Sequence, residues 1–182
     1  MQTWEKLIAE CKNCTKCGLC KNRKNVVFGD GNINAEVMFI GEAPGADEDA
    51  LATPFVGRAG QLLNQALKAL RINREECYIA NICKCRPENN RVPYEQEALA
   101  CLPYLEQQIS FIMPKIIVCM GATPLKYLVD KNAQITKTRG IWIEKEDHKI
   151  MPTYHPAALL RDESKKVDFW EDLKKVREEI KG

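Results

Sequence analysis

The chain has 182 residues and a net charge of +2, with 45% hydrophobic and 29% charged residues. This length supports an ordinary core, and we expect one domain over residues 1–182. The small net charge excludes a global field that would demand a polyanionic partner, although a local basic surface is compatible with it. Apolar runs too short for a bilayer and an N-terminus without a signal-peptide pattern predict a cytoplasmic protein with no membrane partner.

Apolar runs and helical spacing alternate along the chain. Helices are predicted over 3–10, 61–70, 93–112, 123–129 and 168–180, and strands over 36–40, 76–82 and 115–120, with weaker strand signals at 141–143 and 150–151. Strands that alternate with helices predict an α/β sandwich with a mainly parallel sheet.

Three informative segments begin where a predicted strand ends. They are Gly41-Glu42-Ala43-Pro44-Gly45, the single residue Asn81, and Tyr154-His155-Pro156. Open parallel sheets bind ligands outside the carboxyl ends of their strands. We therefore expect these segments to converge on one cleft, although they lie far apart in sequence.

Nine cysteines are the unusual feature of the composition. An odd number and the absence of an export signal argue against a disulfide framework and favour metal or redox chemistry. Cys14 and Cys17 form one chelating pair, and with Cys85 and Cys101 they make a chemically sensible set of four. Four thiolates suit zinc or an iron–sulfur cluster equally well, and spacing does not choose between them.

The other cysteines have simpler interpretations. Cys77 and Cys119 lie on predicted strands, where a free cysteine is usually a small core residue. Cys11, Cys20 and Cys83 are either spare thiols or alternative ligands.

Three stretches carry a family resemblance. They read VVFGDGNINAEVMFIGEAPGADEDALATPFVGRAGQLL, YIANICKCRPENNR and TYHPAALLR. Together, and in this order, they resemble the family 4 uracil-DNA glycosylases, the iron–sulfur branch of bacteria and archaea. The match runs from Cys14 to the terminal helix, and as a set the motifs are highly specific.

The resemblance implies an α/β/α sandwich with a four-stranded, mainly parallel sheet. It implies a structural [4Fe–4S] cluster on Cys14, Cys17, Cys85 and Cys101. It also implies a monofunctional DNA-repair hydrolase. Such an enzyme cleaves the N-glycosidic bond of deoxyuridine in single- and double-stranded DNA, releasing uracil and leaving an abasic site for base excision repair. We further expect a monomer, with replication or repair proteins as possible partners.

Excision of uracil requires a pocket for the extruded base and a group that stabilises charge on uracil O2. By the resemblance, Phe55 stacks on the base, Asn81 reads its edge, and His155 donates a hydrogen bond to O2. The alternatives are a core phenylalanine and a turn-forming asparagine. His148, the other histidine, lies in a polar run and is interpreted as a solvated turn residue.

Two carboxylates follow the first predicted strand. Gly41 and Ala43 line the pocket by the resemblance, and Ala43 stands where some related glycosylases carry an aspartate. Our hypothesis is that Glu42 helps to position water and that Glu48 shapes the pocket. The alternative is that both brace the loop or are simply solvated.

Basic residues near these motifs are candidate DNA contacts. Insertion of Leu159 or Leu160 into the gap left by the extruded base is weighed equally against burial of both in the core. Arg58, otherwise a plain surface charge, is a further candidate. The predicted phosphate contacts are Arg58, Lys84, Arg86, Arg91 and Arg161.

Two other functional classes compete with the enzyme. One is a ferredoxin-like electron carrier, which the distance in sequence between the two cysteine pairs disfavours. The other is a non-catalytic DNA-binding module with a structural cluster, which the presence of both Asn81 and His155 disfavours. A base-release assay separates the enzyme from both.

Overall fold

The computed structural model describes residues 1–181. Within them the strands are β1 (Asp30–Gly31), β2 (Val37–Gly41), β3 (Tyr78–Asn81), β4 (Ile116–Met120), β5 (Ile143–Glu144) and β6 (Lys149–Thr153). The helices are α1 (Trp4–Lys12), α2 (Ala46–Leu51), α3 (Arg58–Ala69), α4 (Glu95–Ile112), α5 (Ala122–Leu128), α6 (Ile135–Thr138), α7 (Pro156–Arg161) and α8 (Lys166–Lys181).

The strands form one sheet in the order β1-β3-β2-β4-β6-β5. The four inner strands are parallel, as expected, and a two-residue antiparallel strand lies at each edge. The sheet thus has six strands rather than four. The edge strands are short enough that their sequences carry no two-residue periodicity, which explains why the first was not predicted and the other was placed too early.

Alternating side chains of the inner strands point to opposite faces of the sheet and pack into two separate hydrophobic cores. Met38, Ile40 and Ile117 face one layer of helices, which includes α1 and α4. Phe39, Ile79 and Val118 face the other layer, which includes α3, α7 and α8. Both faces of a parallel strand are therefore buried, so its sequence reads as a continuous apolar run. The three-layer α/β/α architecture is confirmed, and the single-domain assignment stays a prediction.

A buried carboxylate anchors the end of β6 just before the candidate site. Asp172 of α8 is fully buried and accepts a hydrogen bond of 2.7 Å from the Thr153 hydroxyl. Arg139 balances its charge through a hydrogen bond of 2.9 Å from Nε. A buried carboxylate that is both paired and hydrogen-bonded holds its neighbours in one arrangement, which fixes where the chain leaves the sheet.

No helix within residues 1–181 is long and apolar enough to cross a membrane.

Candidate active site

The predicted functional segments meet at the carboxyl edge of the sheet. Gly41 at the end of β2 lies beside Asn81 at the end of β3, in register. His155 follows β6, two strands away from β2 on its other side. The three segments therefore lie at one edge of the sheet, and their convergence on a single cleft stays a prediction.

Asn81 presents an unpaired acceptor to this edge. Its side chain is 2% exposed, and its Oδ1 is buried without a hydrogen-bond partner. A buried polar atom left unpaired costs about 1–3 kcal/mol, so it is rarely kept without a reason. Gly41 allows this arrangement, because a Cβ there would lie 2.6 Å from Oδ1 and 2.6 Å from Phe55 Cζ.

Phe55 is held beside Asn81 in an unusual backbone conformation. Its φ of 53° lies in the left-handed region, which costs free energy for a non-glycine residue. Arg74 donates to its main-chain oxygen at 2.9 Å and to that of Pro54 at 2.7 Å. Gly60 packs against the Phe55 backbone so closely that a Cβ would lie 2.0 Å from its carbonyl. The site therefore fixes the position of this ring.

Glu48 braces the loop that carries Phe55. One carboxylate oxygen accepts from the main-chain nitrogens of Val56 at 2.8 Å and Gly57 at 2.7 Å. The other accepts from the nitrogen of Gly45 at 3.1 Å, at the start of α2. With three main-chain donors, this carboxylate braces the loop, which is the alternative weighed for it, and a role in shaping the pocket stays a prediction.

Glu42 follows β2 at the carboxyl edge of the sheet and contacts the start of α5. It is half-buried, and its Oε2 accepts a hydrogen bond from the Thr123 hydroxyl near the start of α5. Cys83 donates its main-chain N–H to the Glu42 carbonyl at 3.0 Å. One carboxylate oxygen is thus oriented by Thr123, a residue that no sequence motif singled out. Ala43 beside it is half-buried and brings no further polar group.

The His155 ring is oriented by a backbone hydrogen bond at the start of α7. Its Nδ1 accepts from the main-chain N–H of Ala157 at 3.0 Å, where it caps α7. Burial lowers its pKa from 6.5 to about 4, and the positive charge of Arg161 acts in the same direction. Because Nδ1 is an acceptor in the neutral ring, the proton is carried by Nε2. The ring centroid lies 5.4 Å from that of Phe55, with the planes inclined by 34°.

Three predicted phosphate contacts keep accessible positions. Arg58 is exposed at the first residue of α3, and Arg161 is exposed at the last residue of α7. The two helices pack against each other. Arg86 is half-buried and donates from Nε to Asn90 at 2.8 Å.

Three other predicted DNA contacts are wrong or already engaged within the protein. Lys84 is 1% exposed, so its ammonium cannot reach a phosphate. Leu159 is fully buried in the core, which leaves Leu160, 38% exposed, as the candidate wedge. The guanidinium of Arg91 is held by both oxygens of Glu97, at 2.7 and 3.0 Å, so its charge is already paired.

A second site lies beside the loop that follows β3. Its cavity is lined by the four predicted ligands and by two more cysteines: Cys11, Cys14, Cys17, Cys20, Cys85 and Cys101. The thiols surround the cavity rather than a point, and within residues 1–181 no three His, Cys, Asp or Glu side chains are arranged to hold one ion. Cys83 is buried outside this lining, and Cys77 and Cys119 lie in the core as predicted.

Hydrogen-bond donors around the thiols favour negatively charged sulfur, as in metal-bound thiolates. Main-chain N–H groups lie 3.4 Å from Cys14 Sγ and 3.2 Å from Cys101 Sγ, and Arg23 lies 3.4 Å from Cys85 Sγ. A hydrogen bond from Cys83 lowers the pKa of Cys101 to about 7, whereas burial raises the pKa of Cys85 to about 11. A buried thiol of this kind ionises readily only beside positive charge, which metal coordination supplies.

The fold and the site together define an α/β protein that groups an aromatic ring, an amide and an imidazole at the carboxyl edge of its parallel sheet. Comparison with known proteins gives the particular family. Residues 28–174 match the model of the uracil DNA glycosylase superfamily. The chain belongs to the type-4 uracil-DNA glycosylases of that superfamily.

The relatives match the chain over nearly its whole length. A type-4 uracil-DNA glycosylase of Sulfurisphaera tokodaii is 48% identical, with 98% of this chain and 85% of the relative covered. One of Thermotoga maritima is 47% identical, covering 93% and 91%, and one of Archaeoglobus fulgidus is 38% identical, covering 98% and 94%. The family resemblance and the expectation of a uracil-removing DNA-repair hydrolase are confirmed.

Proposed function

We propose that the chain removes uracil from single- and double-stranded DNA by hydrolysis, with Asn81 and His155 as its central residues. The observation that carries this proposal is the buried, unpaired Oδ1 of Asn81. Uracil offers a donor at N3–H that matches this atom, and the amide nitrogen can donate to O4. Cytosine has an acceptor at N3 and a donor at N4, so the same amide mismatches both of its groups.

The base is stacked and polarised by the aromatic and imidazole groups beside Asn81. Phe55 supplies a flat apolar surface whose position Arg74 and Glu48 fix from behind. His155 donates from Nε2 to uracil O2, where negative charge grows as the bond to the sugar breaks. A neutral imidazole suits this role, because its N–H can hydrogen-bond to the leaving anion while keeping its proton.

Water then adds to the sugar carbon, which carries positive character in the transition state. We assign the orientation of this water to Glu42, whose second carboxylate oxygen has no hydrogen bond within residues 1–181. The Thr123 hydroxyl fixes the other oxygen. Arg58, Arg86 and Arg161 contact phosphates, and Leu160 enters the space that the extruded base leaves.

The cysteine site holds a [4Fe–4S] cluster on Cys14, Cys17, Cys85 and Cys101 in this proposal. When bound, the cluster supplies a fixed cross-link between the N-terminal segment, the loop after β3 and α4. That loop also carries Arg86, so the cross-link holds a phosphate contact in place. A cytoplasmic location, a monomeric state and replication or repair partners remain predictions.

The deciding experiment measures base release from a single-uracil oligonucleotide, read by alkaline cleavage at the abasic site. The uracil is presented in a single strand and opposite guanine or adenine, and cytosine, thymine and hypoxanthine substrates run in parallel. We expect release of uracil, and a loss of about 10²–10³-fold in Asn81→Ala and His155→Ala, as when one preorganised donor is removed. His148→Ala is the matched control and keeps the full rate. No release by iron-replete protein would contradict the proposal.

A further inference from the structure

Lys84 is a buried lysine between the two sites. Its side chain is 1% exposed, and it lines the cysteine cavity. Its backbone N–H lies 3.2 Å from Cys101 Sγ. Three residues earlier, Asn81 ends β3 in the base pocket. The short segment 81–85 therefore contributes residues to both the base pocket and the cysteine site.

The ammonium of Lys84 is fixed by two acceptors. Nζ donates to the main-chain carbonyl of Asn81 at 3.0 Å and to Oε1 of Gln108 at 2.6 Å. Gln108 is itself held, because its Nε2 donates to the Phe28 carbonyl at 2.9 Å and lies 3.1 Å from the Tyr78 hydroxyl oxygen. The lysine thus ties the last residue of β3 to a rigid residue of α4.

No carboxylate in residues 1–181 hydrogen-bonds to this ammonium. A buried charge without a counter-charge is costly. Lys84 shares the lining of the cysteine cavity with Cys11 and Cys101, and its own main-chain N–H lies 3.2 Å from Cys101 Sγ. Cys101 is one of the proposed cluster ligands, so thiolate charge at the cysteine site would balance the lysine.

We propose that Lys84 is a positioning residue for uracil recognition: its ammonium holds the Asn81 carbonyl, and the anionic cysteine site holds the ammonium in place. The inference rests on the proposed function, because it assigns Asn81 to the base. It also replaces the role expected from the sequence. Lys84 acts through Asn81 rather than through phosphate, and the cysteine site supports the pocket through this lysine.

The test compares Lys84→Met with the control Lys16→Met. Both lysines line the cysteine cavity, but Lys16 is exposed and its Nζ lies over the Tyr104 ring. Four quantities are measured for each protein: iron per chain, the reduction potential of the cluster, affinity for uracil-containing DNA, and the single-turnover rate of uracil release. Wild-type protein must release uracil first, so failure of the proposed function is seen separately.

We expect Lys84→Met to slow release by about 10–100-fold, the cost of a small misplacement of a substrate-positioning group. DNA affinity should stay unchanged, because no phosphate contact is lost. The reduction potential should become more negative, because removal of a buried positive charge disfavours the added electron. Lys16→Met should keep the wild-type rate, with a smaller change in potential because water screens its charge.

A double-mutant cycle tests whether Lys84 acts through Asn81. Lys84→Met should cost less than about twofold in an Asn81→Ala background, since two residues that act as a unit are not additive. Fully additive losses would overturn the inference. So would a wild-type rate in Lys84→Met, or a loss confined to DNA affinity, which would restore the phosphate-contact role.

If Lys84→Met loses iron or fails to fold, Gln108→Leu provides the test. It removes one acceptor of the ammonium and lies outside the lining of the cysteine cavity. We expect slower uracil release with full iron content. A wild-type rate in this variant would overturn the inference.

Discussion

His155 shows how one residue combines structure and chemistry at this site. Its Nδ1 caps α7 through Ala157, and this hydrogen bond leaves the proton of the neutral ring on Nε2, where the proposed role requires a donor. Burial keeps the ring neutral by lowering its pKa to about 4. The tautomer is therefore set by a backbone contact two residues along the chain, which no sequence motif displays by itself.

The lowered pKa predicts a pH dependence of folding stability. Between the ordinary value of 6.5 and about 4, the unfolded chain binds a proton at His155 that the folded chain does not. Acidification therefore favours unfolding, and the free energy of unfolding decreases progressively as pH falls through that window. We expect His155→Gln to flatten the dependence, with proton uptake on unfolding at pH 5 lower by up to about one proton.

Urea unfolding at a series of pH values from 4 to 8 measures this effect. The chain has only two histidines, so His148→Gln provides the background. An unchanged slope in His155→Gln would show that the imidazole titrates alike in the folded and unfolded states, and would contradict the neutral-donor assignment.

At the scale of elements, the loop from α2 to α3 shows what the sequence predicted and what it did not. The Phe55 ring and the Glu48 carboxylate were both predicted to belong to the pocket. The support behind them was not, because Arg74 and Gly60 act through main-chain contacts with Phe55 and neighbouring Pro54. Contacts of this kind depend on a loop conformation, which periodicity does not encode.

The same distinction explains the errors among the predicted DNA contacts. Sequence shows the charge of Lys84 and Arg91 but not the direction in which a loop turns them. The side chain of Lys84 points into the interior of the protein. Arg91 forms a salt bridge with Glu97, which is 5% exposed at the start of α4. The inner strands, by contrast, were predicted well because burial on both faces leaves long apolar runs.

Glu48 and Glu42 make different contacts, so their substitutions should change folding stability by different amounts. Glu48→Gln weakens three main-chain hydrogen bonds to a charged acceptor, so we expect it to lower the free energy of unfolding by about 1.5–3 kcal/mol. Glu42→Gln keeps an oxygen for Thr123, so its stability should change by no more than about 0.5 kcal/mol.

In the folded protein, Glu42→Gln should slow uracil release more than Glu48→Gln does, which is the reverse of their order for stability. If Glu42 orients water, Glu42→Gln slows uracil release by about 10²-fold or more in the folded protein. Denaturant unfolding and single-turnover release, measured on both variants, check this contrast. A full release rate in Glu42→Gln would remove this carboxylate from the mechanism and leave water positioning to another group.

At the scale of the whole molecule, the cysteine site joins parts of the chain that are far apart in sequence. Its lining includes Cys14 and Cys17 near the N-terminus, Cys85 after β3 and Cys101 on α4. Spacing alone did not choose between zinc and an iron–sulfur cluster for this set, whereas the family resemblance implied a [4Fe–4S] cluster. The structure adds the hydrogen-bond donors around the sulfurs and two further thiols, Cys11 and Cys20, in the same cavity.

Loss of the proposed cluster should therefore lower the stability of the molecule as a whole. A cross-link that closes a loop of this length contributes about 4 kcal/mol in the chain-entropy description, so we expect Cys14→Ser to lower the free energy of unfolding by an amount of that order. Cys20→Ser is the matched control, since it lines the cavity but is outside the proposed ligand set. It should retain iron and wild-type stability.

Iron, zinc and labile sulfide per chain, with thermal unfolding, check this on protein purified without oxygen. Cys14 and Cys20 lie in the same N-terminal segment, so either thiol could serve as the ligand. Comparing the two variants decides which one does. Iron retained in Cys14→Ser but lost in Cys20→Ser would reassign the ligand to Cys20. Zinc in place of iron would contradict the cluster, while still allowing a metal cross-link that balances the charge of Lys84.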